Sequence, residues 1–142
     1  MFATPARLAT ATVTLLAVMV YFYTAFRVGN LRGKFGIKAP ATSGHPTFER
    51  AYRVQLNTLE QMGLFLPLLW LTALYPIGLA YLAPLIGLLW VLGRLVYIRG
   101  YMRDPEKRVL GAMICGLTSA ALLVLAIAGL ARAWLLSGPV SA

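Results

Sequence analysis

The sequence predicts an all-α integral membrane protein, a bundle of four transmembrane helices in a single domain of 142 residues. Hydrophobic residues make up 60% of the chain and charged residues only 12%, whereas soluble domains average about 45–50% apolar residues. Long uncharged runs alternate with short basic segments, as in membrane spans and their connections. The formal net charge is +9, but the cations are confined to the connections, so we do not expect a nucleic-acid partner.

The spans are predicted at about residues 8–26, 50–75, 77–98 and 107–136. The first is uncharged and long enough to cross a hydrocarbon core of about 30 Å. No clear small-residue cleavage site follows it, which favours a retained span over a signal peptide. The apolar part of the second span, residues 61–75, is too short alone and crosses only if its helix starts upstream.

The connections between the spans differ in character. Residues 27–47 are rich in Gly, Pro, Ser and Thr, which favours a loop. Tyr75 and Pro76 predict a tight turn between spans two and three. In the segment RDPEKR, residues 103–108, Asp104 suits a helix N-cap and Pro105 suits the first helical position. The fourth helix is therefore expected to restart there.

Positive charges are distributed unevenly between the two ends of the predicted bundle. The connections after spans one and three are strongly basic, whereas the opposite end has only Arg7 and Arg132. The positive-inside rule then predicts both termini outside and both basic connections in the cytoplasm. The lack of a retention signal in the sequence favours a bacterial inner membrane as the host.

The segment FERAYRVQLNTLE, residues 48–60, places polar side chains at the start of the second span. Four of them follow spacings of three, four and three, which is one face of a helix: Arg50, Arg53, Asn57 and Glu60. A second face with spacings of three and four lies on span three: Arg94, Tyr97 and Tyr101. Arg108 opens span four at the same end of the bundle. We expect these side chains to line one cytoplasm-facing cavity that suits a small polar anion.

A structural interpretation of the same residues stays open. Glu60 lies about 15 Å along the helix from Arg50, where a carboxylate needs a partner, and Arg94 is the natural one. The pair would then be only a structural ion pair, and the other arginines would only set topology. Cys115 is expected to be a small packing residue and His45 a solvated loop residue, and no cluster with metal-ligand spacing is present.

The segment FERAYRVQLNTLE with the following FLPLLWL, and the later segment GRLVYIRGYMRDPEKRVLG, closely resemble the MAPEG family, the membrane-associated proteins of eicosanoid and glutathione metabolism. The likeness covers nearly the whole chain and is strongest to bacterial glutathione-transferase-like members. It implies a homotrimer of four-helix protomers, with glutathione bound at the subunit interface and reached from the cytoplasm.

The resemblance also assigns roles to individual residues. It implies that Arg108 stabilises the glutathione thiolate, that Tyr97 contacts glutathione, and that either Arg32 or Lys34 contacts glutathione after span one. From its chemistry, the Tyr97 hydroxyl is expected to assist Arg108 or to protonate a leaving group, with the cation the stronger of the two. The remaining implied contacts are Arg50, Arg53, Gln55, Asn57, Glu60, Arg94 and Tyr101. No metal is required.

The predicted function is a glutathione-dependent membrane transferase, peroxidase or both, acting on lipophilic electrophiles or lipid hydroperoxides that arrive through the lipid. The alternative is a non-catalytic lipid-binding membrane trimer. A four-span drug/proton exchanger is disfavoured because span one carries no carboxylate.

Overall fold

The computed structural model describes residues 4–138, which form four long helices with short connections. The helices are Pro5–Phe35 (α1), Pro46–Leu74 (α2), Leu82–Arg103 (α3) and Val109–Leu136 (α4), with a 3₁₀ turn over Pro105–Arg108 before α4. The all-helical prediction is confirmed for these residues. The predicted domain also includes residues 1–3 and 139–142, which lie outside the described residues.

Three helical segments within residues 4–138 are long and apolar enough to cross a membrane: Pro5–Phe35, Leu82–Arg103 and the stretch Pro105–Leu136. The helix α2 has the length, since its 29 residues extend about 43 Å. Its apolar run is shorter than the helix, because Asn57, Glu60 and Gln61 precede or begin it. It does begin upstream of the apolar run, as a crossing would need, but the limits of the four spans stay a prediction.

The loop predicted to begin at residue 27 is wrong for its first part, because α1 continues to Phe35. Two glycines inside this extension each cost about 1 kcal/mol of helix propensity. Tertiary packing overrides that cost, since Val28 is buried against Phe48 and Ala51 of α2. The helix ends at Gly36, whose φ of 63° lies in the left-handed region. The positive charges of Arg32 and Lys34 in the last turn interact favourably with the negative end of the helix dipole.

The connections around α3 follow the sequence signals only in part. The turn at Tyr75 is longer than predicted, because the chain remains irregular through Gly78, with φ 71°, and α3 begins at Leu82 rather than at residue 77. The predicted restart before α4 is confirmed. The Oδ1 atom of Asp104 accepts a hydrogen bond from the amide of Glu106 at 3.1 Å, and Pro105 occupies the first position of the 3₁₀ turn.

The helix α3 packs against all three other helices, and most extensively against α4. Trp90 of α3 is completely buried and stacks on Phe65 of α2, with ring centroids 4.0 Å apart and planes 4° from parallel. At the α3–α4 contact, Gly111 of α4 lies directly against the backbone of Tyr97. A Cβ atom there would overlap the amide of Tyr97, so this glycine sets how closely the two helices approach.

We predict that Gly111→Ala destabilises the protein by about 1–3 kcal/mol, because an added methyl group must push α3 and α4 apart. The matched control is Gly116→Ala in the same helix, where a Cβ meets nothing within 4 Å. The control should be neutral or slightly stabilising, since alanine is the better helix former. Thermal unfolding in detergent, followed by circular dichroism, measures both; equal midpoints for the two variants would contradict the prediction.

Candidate functional site

The polar faces of α2 and α3 meet at two neighbouring cavities at the basic end of the bundle. The outer cavity, about 420 Å³, is lined by Thr42, Ser43, Pro46, Glu49, Arg50, Tyr52, Arg53, Leu56, Tyr101 and Pro105. The inner cavity, about 340 Å³, is lined by Asn57, Glu60, Gln61, Arg94, Tyr97, Arg108, Ala112 and Cys115. On each helix, the residues that line the inner cavity lie about one turn further from the basic connections than those that line the outer cavity. The two cavities therefore follow one another along the helix axes.

Arg94 lies inside the bundle with only 2% of its surface exposed. Its Nε and one terminal nitrogen donate hydrogen bonds to Oγ1 of Thr58, at 3.1 and 3.0 Å. Its guanidinium carbon lies 4.1 Å from the centre of the Tyr97 ring, a cation–π contact. The Thr58 hydroxyl donates in turn to the carbonyl of Val54 at 2.6 Å, which orients its lone pairs toward Arg94.

Tyr97 is buried on the wall of the inner cavity. Its hydroxyl oxygen accepts a hydrogen bond of 2.6 Å from the Nδ2 atom of Asn57. A phenol that accepts one bond retains its own O–H as a donor. The phenolic proton is therefore available for an acceptor in the cavity.

Arg108 ends the 3₁₀ turn and forms the N-cap position of α4, with an exposed side chain. Its guanidinium carbon lies 5.3 Å from the centre of the Tyr101 ring, at the boundary between the two cavities. The side chain of Arg50 donates to the carbonyl of Arg103 at 3.3 Å, linking the start of α2 to the end of α3. Both cavities thus carry guanidinium groups held by neighbouring aromatic or carbonyl groups.

The structure brings together most, but not all, of the residues predicted for the site. The single predicted cavity is two neighbouring ones: Arg53 and Leu56 of α2 line the outer cavity, and Asn57 lines the inner one. Arg94 lies near Glu60, yet within residues 4–138 its hydrogen bonds go to Thr58 rather than to that carboxylate. The expected Glu60–Arg94 hydrogen-bonded pair is therefore wrong.

Three predicted residues line neither cavity within this chain. Arg32 donates to the carbonyl of Ala41 at 2.8 Å and lies over the ring of Phe48. The Nζ atom of Lys34 lies 5.5 Å from the ring of Phe35. Gln55 is half-buried on α2 between the cavity-lining positions. Their roles as ligand contacts stay predictions.

Sequence reasoning missed Thr58 and Gln61 and placed Cys115 only as a packing residue. Thr58 looks like an ordinary apolar-face threonine, and nothing in the sequence shows that it holds Arg94. Gln61 directly follows Glu60, which was the available signal. Cys115 does pack, since it is 1% exposed, and it also forms part of the inner cavity wall. No group of three metal-ligating side chains occurs among the residues described.

Comparison with known proteins identifies the family. The sequence model described as the MAPEG family matches residues 10–131, which is most of the chain. The chain belongs to the MAPEG family. The resemblance noted in the sequence is thereby confirmed. Together with the three segments able to cross a membrane, membership makes this MAPEG protein an integral membrane protein.

Individual relatives are similar over different shares of their length. An uncharacterized protein of Synechocystis sp. is 45% identical over 114 residues, 80% of this chain and 82% of that protein. Microsomal glutathione S-transferase 2 of Homo sapiens is 33% identical over 125 residues, 88% of this chain and 84% of that protein. Leukotriene C4 synthase of Bos taurus is 39% identical over 99 residues, 70% of this chain and 65% of that protein.

We predict that Thr58→Val destabilises this MAPEG protein by about 2–3 kcal/mol, because it leaves a buried charged group without its acceptor. Thr10→Val is the matched control. Thr10 is equally buried and donates to the carbonyl four residues earlier, as Thr58 does, but it holds no cation. The control should lose only about 1 kcal/mol or less. Free energies of unfolding in detergent compare the two, and similar losses would show that the Arg94 contact carries little of the stability.

Proposed function

We propose that this protein is a membrane glutathione transferase, with peroxidase activity toward lipid hydroperoxides as a second use of the same site. In this proposal the protein binds glutathione, ionises its thiol and directs the sulfur at a lipophilic electrophile. Family membership and the likeness to microsomal glutathione S-transferase 2 support the general activity. The observation that carries the proposal is the inner cavity, where Arg94, Tyr97 and Arg108 converge on one space.

The charge of the two cavities is complementary to glutathione. Arg50, Arg53 and Glu49 line the outer cavity, and Arg94, Arg108 and Glu60 line the inner one. Four arginines against two glutamates leave a formal excess of two positive charges. Glutathione as a thiolate has two carboxylates, one ammonium and one sulfur anion, which is a formal excess of two negative charges. The glutamates are suited to the ammonium and the arginines to the carboxylates.

The length of the site also fits a tripeptide. The polar face of α2 from Arg50 to Glu60 extends for about 15 Å at 1.5 Å per residue. An extended tripeptide measures about 10 Å. Glutathione is therefore shorter than this face, and bound where the two cavities meet it can extend into both; we assign its sulfur to the inner cavity.

The chemical task is to keep the sulfur ionised. A free thiol has a pKa near 8.5, so at pH 7 only about 3% is thiolate. Lowering that pKa by about 2 units requires about 2.7 kcal/mol of preferential stabilisation of the anion. We assign most of it to Arg108, because a cation acts more strongly on an anion than a neutral donor does. The free O–H of Tyr97 adds a hydrogen bond to the sulfur.

The thiolate then attacks the electrophile directly. With an aromatic halide, the C–S bond forms and halide leaves with the bonding electrons. With a lipid hydroperoxide, the sulfur takes one peroxide oxygen, the O–O bond breaks, and the lipid alkoxide is protonated to an alcohol. The resulting glutathione sulfenic acid condenses with a second glutathione, giving the disulfide and water. We assign to Tyr97 the transfer of the proton to the leaving oxygen.

We further propose that the protein is a homotrimer whose subunit interface closes the site. In a membrane, the exposed side chains of Arg53, Glu60 and Arg108 would otherwise face lipid at high cost. A neighbouring protomer would cover these side chains, and we propose that Arg32 or Lys34 contacts a neighbour's glutathione in that arrangement. The basic connections support a cytoplasmic site with both termini outside, and we propose a bacterial inner membrane as the host membrane.

Arg108→Gln should raise the pKa of bound glutathione by about 2 units, back toward about 8.5. The native protein then retains the thiolate absorbance of bound glutathione down to about pH 6.5, whereas the variant loses it below about pH 8.5. Lys107→Gln removes the same charge from the neighbouring exposed position, which lines neither cavity, and should leave the midpoint unchanged. An unchanged midpoint in the Arg108 variant would move the role to another group, Tyr97 first.

Direct tests of the function are glutathione binding by calorimetry and turnover of an aromatic halide and of a lipid hydroperoxide. Arg53→Gln should weaken glutathione binding by about 10–100-fold, because it removes a charge-assisted hydrogen bond. Arg103→Gln, an exposed side chain outside both cavities, is the control. Failure to bind glutathione, together with saturable fatty-acid binding, would replace the enzyme by the non-catalytic lipid-binding alternative.

A further inference from the structure

A third cavity lies between α1 and α3, apart from the two cavities of the proposed glutathione site. It measures about 440 Å³ and is lined by Tyr23, Arg27, Leu95, Ile98 and Arg99. None of these residues lines the outer or the inner cavity. We call it the α1–α3 groove. The proposed binding of glutathione does not use its two arginines.

The groove carries positive charge without a carboxylate. Arg27 is half-buried and donates a hydrogen bond to the hydroxyl of Tyr23 at 3.0 Å, and Arg99 is exposed. The chain has only four acidic residues. Glu49 lines the outer cavity, Glu60 lines the inner one, and Asp104 and Glu106 lie in the turn before α4. Two guanidinium groups and a phenol thus face one space, and residues 4–138 place no carboxylate among its lining side chains.

The depth of the groove matches the phosphate layer of a bilayer. Arg27 directly follows the uncharged run at residues 8–26 of α1, and Arg99 directly follows the apolar residues that end at Ile98 on α3. Both cations therefore lie where hydrocarbon gives way to water. Toward the hydrocarbon, the same helices expose apolar side chains: Met19, Leu88, Leu92 and Leu95.

We infer that the α1–α3 groove is a binding site for an anionic glycerophospholipid. Its phosphate oxygens accept hydrogen bonds from Arg27 and Arg99, and Tyr23 retains its O–H as a further donor. The acyl chains lie along the exposed apolar side chains of α1 and α3. A zwitterionic lipid has the same phosphate, but its ammonium group would lie beside two cations, so the groove prefers the anionic headgroup.

Native mass spectrometry of the detergent-solubilised full chain tests this, by titration with phosphatidylglycerol and, separately, with phosphatidylcholine. The native protein should retain phosphatidylglycerol preferentially. Because each surface arginine contributes roughly a fivefold preference for anionic lipid, the double variant Arg27→Gln/Arg99→Gln should bind phosphatidylglycerol about 25-fold more weakly. Its affinity for phosphatidylcholine should fall much less.

The matched control is Lys38→Gln/Arg132→Gln, which removes two positive charges from exposed positions outside the groove. It should keep the native preference for phosphatidylglycerol. Glycerol phosphate, which has the phosphate but no acyl chains, should not displace the lipid. Equal retention of phosphatidylglycerol by the double variant and the control would overturn the inference. So would a changed oligomer mass with unchanged lipid affinity, because the groove would then be covered by a second copy of the chain.

Discussion

The guanidinium group of Arg94 lies in the middle of an apolar bundle, where a charged side chain without partners costs several kcal/mol. Two hydrogen bonds to the Thr58 hydroxyl and a cation–π contact with Tyr97 offset that cost. Through these contacts Arg94 ties α2 to α3 at the level of the inner cavity. The positions of Asn57 and Tyr97, which hydrogen-bond to each other one turn away, depend on the same arrangement.

Close packing of α3 on α4 fixes the other side of the cavity. Gly111 allows the α4 backbone to lie against Tyr97, and Gly93 allows α3 to lie against Ile114 and Cys115. The inner cavity is therefore bounded by contacts in which a larger residue cannot be accommodated without moving a helix. Substitutions of side chains that face the cavity would alter its lining without moving a helix, whereas substitutions of these glycines would displace α3 or α4.

The sequence predicted the helical class, the restart at Asp104 and the two polar faces that meet at the site, because periodicity and capping are local properties. It did not predict the length of α1, since the burial of Val28 against Phe48 and Ala51 depends on a different helix. It also paired Arg94 with Glu60, because charge is visible in a sequence, whereas the accessibility of the Thr58 hydroxyl is not. The two sequence motifs were enough to identify the family, whereas the hydrogen bonds within the site could be seen only in the folded structure.

The 31-residue helix α1 measures about 46 Å, roughly three turns more than a hydrocarbon core of about 30 Å. The helix is therefore longer than a crossing requires, and the short segment from Gly36 to His45 returns the chain to α2. Thr42 and Ser43 of that segment form the rim of the outer cavity. Because only this short segment joins the two helices, the ends of α1 and α2 limit where this wall of the outer cavity can lie.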